Sequence, residues 1–92
     1  MPTATARHIL VASEADCLKL KAEIEAGADF AEVALQNSSC PSRMRGGDLG
    51  AFRAGDMVQE FDAAVFSGPV GQLLGPVQTQ FGFHLMEVTK RW

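Results

Sequence analysis

The spacing of apolar residues changes along the chain, and each change predicts an element. Ala6–Val11 (ARHILV) packs β-branched and aliphatic residues into a strand-length run that stops at Ala12-Ser13, which places His8 inside a strand. The period then lengthens. Cys17, Leu20 and Ile24 fall on one face at helical spacing, Ser13 suits the N-cap, Glu14 and Asp16 suit the positive first turn, and Gly27 ends the run. Asp29 followed by Glu32 resembles a capping box for a second helix with Phe30, Val33 and Ala34 as its stripe and Asn37 near its end. Ser38 to Gly47 is rich in turn formers without a sustained period, so it predicts a long loop, and loops of that kind usually carry function.

Asp48–Phe52 alternates and predicts a short strand, whereas Glu60–Phe66 puts Phe61 and Val65 on one helical face before Gly68-Pro69 stops it. Gly75–Gln78 and Phe81–Thr89 have strand character and are joined by Thr79-Gln80, which predicts a hairpin or two neighbouring strands. The predicted order is β-α-α-loop-β-α-β-β. Helices and strands mixed without strict alternation indicate α+β, with helices against a mostly antiparallel sheet. No repeat, low-complexity tract or linker interrupts the pattern, and 92 residues suffice for one domain, 1–92, with one modest core.

Composition narrows the function classes. With 47% apolar and 21% charged residues the balance is globular. No apolar run approaches the roughly 20 residues that span a bilayer, and the start lacks the apolar stretch of a signal peptide, so a cytoplasmic location is expected. The net charge of −3, with basic residues scattered apart from Arg43/Arg45 and Lys90/Arg91, leaves no footprint for nucleic acid or an acidic membrane. Cys17 and Cys40 read as a core residue and an independent site in a reducing compartment; neither a CxxC motif nor zinc spacing is present.

The candidate chemistry lies in His8, Cys40, the Met57/Phe61 pair and the run Phe81-Gly82-Phe83-His84. Taken singly, each has a structural explanation. A strand histidine is more often a hydrogen-bonded core residue than a functional one, and a methionine and a phenylalanine four apart are more often packing. Cys40 before Pro41 is adequate as a small hydrophobe, although its turn-rich surroundings disfavour deep burial. The glycines of Arg45-Gly46-Gly47-Asp48-Leu49-Gly50 make no phosphate loop, because no Lys-Ser/Thr pair follows and Asp48 would repel phosphate.

Their order and spacing together resemble the parvulin family of peptidyl-prolyl cis/trans isomerases over nearly the whole chain. The resemblance rests on HILV at the start, GGDLG with Phe52, Gly55-x-Met57 leading to Phe61, Gly75-Pro76-Val77, and Thr79-Gln80-Phe81-Gly82-Phe83-His84. It is closest to the small single-domain bacterial parvulins, and it implies a four-stranded sheet wrapped by helices and a cofactor-free, metal-free, monomeric isomerase acting on proline-containing peptides and unfolded proteins. Carried over by position, it implies that His8 and His84 are the paired histidines beneath the catalytic groove and that Cys40 holds the central cysteine-or-aspartate position. Met57 and Phe61 then receive the proline ring, Leu49 lies on the pocket wall, Phe81 on its rim, and Gln59 and Thr79 contact the substrate backbone or support the histidines. Phosphate-directed relatives carry a basic cluster after the first strand. Here Ala12-Ser13-Glu14-Ala15-Asp16 is acidic, so an apolar residue before proline is expected in preference to a phosphorylated one. Three rivals stand beside this reading. They are a cysteine hydrolase, for which the sequence names neither an oxyanion hole nor an orienting group, a non-catalytic proline-binding or chaperone module, and a metal site limited to three ligands.

Overall fold

The structure, a computed structural model, describes residues 2–92. Strand β1 covers Thr3–Val11 and starts before the predicted run, because Ala4 and Ala6 are fully buried in the sheet although their small side chains give no strand signal. Helix α1, Glu14–Glu25, is capped by Ser13, whose hydroxyl accepts the Asp16 N–H at 3.1 Å. Helix α2, Phe30–Asn37, is capped by Asp29, which accepts the Glu32 N–H at 3.1 Å. Only half of the predicted capping box forms there, since the Glu32 carboxylate accepts from the Gln36 amide one turn on.

The expected loop Ser38–Gly47 contains a short 3-10 helix, Pro41–Arg45, with proline at its start and Gly46 at φ +66° ending it. Strand β2 spans Asp48–Arg53, helix α3 Gln59–Ser67, β3 Leu73–Thr79 and β4 Gly82–Arg91. The last connection is Gln80-Phe81, not Thr79-Gln80. Thr79 pairs with Gly82 and its hydroxyl accepts the Phe81 N–H at 3.1 Å, which takes Phe81 out of the strand predicted for it and into the turn.

The sheet runs β2-β1-β4-β3 with every neighbouring pair antiparallel. Both faces are covered. Helices α1 and α2 pack on one through Ile9, Val11, Leu20, Val33 and Leu85, and α3 packs on the other through Ala4, Ala6, Phe61, Val65, Met86 and Val88. Each fully buried aliphatic side chain of the Ile9 or Leu85 kind contributes about 1.5–3 kcal/mol of transfer free energy, so the central strands β1 and β4 anchor the fold. Arg91, paired with Ala4 after a ladder irregularity, donates to the Val65 and Gly68 carbonyls at the end of α3, a helix without a basic residue in its own last turn.

Candidate active site

Alternation along β1 and β4 puts both histidines on the α3 face. His8 pairs with Met86 and Leu10 with His84, so the two imidazoles are diagonal neighbours, and their Nδ1 atoms lie 3.1 Å apart. The rings stack with centroids 5.2 Å apart, while the Phe61 ring stands edge-on to both at 5.5 and 5.4 Å. Burial pushes the His8 pKa down to about 4, with the neighbouring charge of His84 adding to the effect, and burial also lowers that of His84. Both rings are therefore neutral at pH 7.

A hydrogen-bonded chain couples their tautomers. Thr79 Oγ1 accepts the Phe81 N–H and lies 2.7 Å from His84 Nε2. The three groups form one chain, Thr79 Oγ1 to His84 Nε2 and His84 Nδ1 to His8 Nδ1, in which one imidazole Nδ1 carries the proton and the other accepts it. The chain ends at His8 Nε2, a buried atom without a hydrogen-bond partner.

The loop after α2 brings the thiol to this pair. Ser38 is buried beside the end of β1, where its hydroxyl accepts from the Leu10 and Cys40 N–H groups and the Ser39 N–H donates to the Leu10 carbonyl. Cys40 is half-buried and unpaired. The 3-10 helix then returns to β1 through Gly47, whose carbonyl accepts the His8 N–H at 2.9 Å. At φ +87°, with its ideal Cβ position only 2.3 Å from the His8 carbonyl oxygen, this position takes glycine because any side chain would strike the strand that carries His8.

Over the histidines lies an open recess of about 460 Å³ whose wall includes Cys40, Leu49, Met57, Phe61 and Phe81. Of the residues expected at the site, His8, Cys40, Leu49, Met57, Phe61, Phe81 and His84 all border it. Thr79 and Gln59 do not. Thr79 is buried behind His84, and Gln59 is exposed at the first residue of α3. Leu10, Asp56 and Val58 also line the recess and were not singled out from sequence. Leu10 follows from its i+2 relation to His8 on the same strand face, and Asp56 and Val58 from their adjacency to Met57. The segment holding Met57 is shaped by two carboxylates, with Asp56 accepting the Arg53 N–H at 2.9 Å and Asp62 the Gly55 N–H at 2.8 Å.

A sheet of this order, with its histidine pair under an apolar recess beside a thiol, is that of the parvulin class of α+β domains. The chain belongs to the rotamase family of PPIC-type PPIase domains, which it matches over residues 4–90. It is 43% identical over 91 residues to the foldase protein PrsA of Geobacillus sp. (strain WCH70), an alignment covering 98% of this chain and 33% of that protein. To foldase protein PrsA 1 of Bacillus cereus it is 44% identical over 89 residues, 96% of this chain and 31% of the relative. The chain thus spans about a third of the length of these relatives. Among solved structures, the peptidylprolyl isomerase PrsA of Bacillus anthracis superposes with a TM-score of 0.96 at 38% identity, covering 99% of this chain and 42% of that one. The parvuline of Nitrosopumilus maritimus superposes at 0.84 and 29% identity over 96% of both chains. The four-stranded α+β architecture and the parvulin-type isomerase class implied by the sequence motifs both hold.

Proposed function

We propose that this domain accelerates rotation about X–Pro bonds in extended or unfolded polypeptide without forming a covalent intermediate, and that it prefers an apolar to a phosphorylated residue before the proline. The observation that carries the reading is the apolar recess set directly over a neutral, hydrogen-bonded histidine pair. Prolyl rotation is slow because the amide loses resonance, against a barrier of about 18–20 kcal/mol, and no substrate bond has to break. A millionfold acceleration needs about 8 kcal/mol of stabilisation that favours the twisted amide over both planar forms. Met57 and Phe61 hold the pyrrolidine ring, with Leu49 and Phe81 beside it, while the preceding segment turns next to Cys40. A dry site helps further, since the planar amide is the more polar form.

Cys40 acts by polarity rather than attack. Among the described residues no hydrogen bond joins its thiol to either imidazole, and both rings spend their Nδ1 atoms on each other. His8 and His84 hold one tautomeric arrangement beneath the amide, and Thr79 serves through His84. The acidic segment Glu14–Asp16 supports rejection of a phosphorylated residue. Action as a monomer is part of the proposal. So is a cytoplasmic location, supported by two free thiols.

The test is NMR exchange between cis and trans forms of Ala-Xaa-Pro-Phe peptides, with leucine, glutamate or phosphoserine as Xaa and catalytic amounts of protein. Exchange fastest for leucine and slowest for phosphoserine is the expected result. Binding without acceleration would make the domain a proline-segment binding module.

A further inference from the structure

Asp56 is the one lining residue of the recess that carries a formal charge at neutral pH; the rest are apolar side chains, a serine, a thiol and the two neutral histidines. Among the described residues it makes no ion pair. The single ion pair among them is Arg7–Glu87, at 2.7 Å, and Arg7 lies over the Phe30 ring on the opposite side of the sheet. Arg53, the nearest base along the chain, gives Asp56 its backbone N–H and is itself exposed. The next acidic groups, Glu60 and Asp62 in the first turn of α3, reinforce the sign. A carboxylate at the edge of an apolar wall acts over a longer distance than one in open water, because the wall screens poorly. Asp56 is exposed, adjoins Met57 in the chain and borders the recess with it, so a proline ring held against Met57 would put its flanking residues within reach of the carboxylate's field.

Resting on the isomerase reading above, we propose that Asp56 is a specificity-determining residue. It makes the recess select by charge, favouring a lysine or arginine next to the proline over a glutamate or aspartate of similar length. The carboxylate needs no contact with the reacting amide. It contributes attraction to a cation and repulsion of an anion, and the difference between the two counts twice in the ratio.

The experiment compares paired peptides in which Lys and Glu exchange places before the proline (Ala-Lys-Pro-Phe, Ala-Glu-Pro-Phe) or after it (Ala-Leu-Pro-Lys, Ala-Leu-Pro-Glu), with Ala-Leu-Pro-Phe as reference. Both exchange rate and Kd by chemical-shift titration are measured for the wild type, Asp56→Asn and Asp56→Glu. Asparagine keeps an oxygen to accept the Arg53 N–H, so the loop survives while the charge goes. The expected Lys/Glu preference is about tenfold at one flanking position for the wild type, kept in Asp56→Glu and reduced to about twofold in Asp56→Asn or in ~0.5 M salt. A wild-type ratio near one at both positions, or an equal ratio in Asp56→Asn, overturns the proposal. Loss of exchange on the leucine peptide with the Kd ratio intact would instead remove the isomerase reading and leave charge selection standing.

Discussion

The Nδ1 atoms of His8 and His84 meet at 3.1 Å from diagonal positions on the two central strands, so one hydrogen bond and one shared burial govern both imidazoles. This coupling makes stability depend on pH in a defined direction. The folded His8 pKa, about 4, lies below its ordinary value of 6.5, mainly through burial and then through the charge of His84, so the unfolded chain binds more protons between those values. Stability is full above about pH 6.5 and falls as the pH drops toward 4, by up to about 3 kcal/mol from this residue. Urea unfolding at about pH 7.5, 6 and 5 measures it, and His8→Asn should flatten this part of the slope. An unchanged slope in the variant would show that His8 is not its source.

Thr79 is expected to matter through His84. Thr79→Val removes both the acceptor for the Phe81 N–H and the hydrogen-bond partner of His84 Nε2, at a cost of about 1–3 kcal/mol. Histidine nitrogen NMR should then show a changed tautomer population, with slower prolyl exchange and little change in peptide Kd. A weaker Kd with unaltered histidine signals would place Thr79 in substrate contact instead.

At Cys40 the expectation separates polarity from nucleophilicity. Cys40→Asp should keep substantial isomerase activity, while Cys40→Ala should lose about tenfold or more. An inactive aspartate variant together with a trappable acyl-enzyme would sink the non-covalent mechanism.

Two glycines of the GGDLG run should respond differently to alanine. Gly50 has φ +71° but open space around its Cβ position, so Gly50→Ala should cost about 1 kcal/mol. Gly47→Ala adds a collision with the His8 carbonyl oxygen and should cost about 3 kcal/mol or more, with loss of activity as the strand beneath the site shifts. Equal thermal shifts in the two variants would show that the close approach at Gly47 relaxes freely.

Much of this protein is local in origin and therefore legible along the chain. Ser13 and Asp29 cap their helices as read, and the apolar stripes of all three helices are buried as their spacing requires, because caps and amphipathic faces depend on residues within a few positions of each other. The motifs that resemble parvulins likewise named seven residues that line the recess. The misreadings fall where distant partners intervene. Thr3 to Thr5 became strand only because β2 and β4 lie on either side, and Phe81 left its strand because Thr79 captured its N–H.

What the chain determined alone was the succession of elements, their apolar faces and the kinds of side chain available for chemistry. Tertiary structure alone decided which of those side chains meet. His8 and His84 are 76 positions apart and touch only because β1 and β4 pair in one register; a slip of one residue would turn one imidazole to the other face of the sheet. The same pairing buried both rings and lowered their pKa values, while the turn between β2 and α3 brought the Asp56 carboxylate to the recess they underlie, since burial and electrostatic environment belong to the packed surface and not to any residue in isolation.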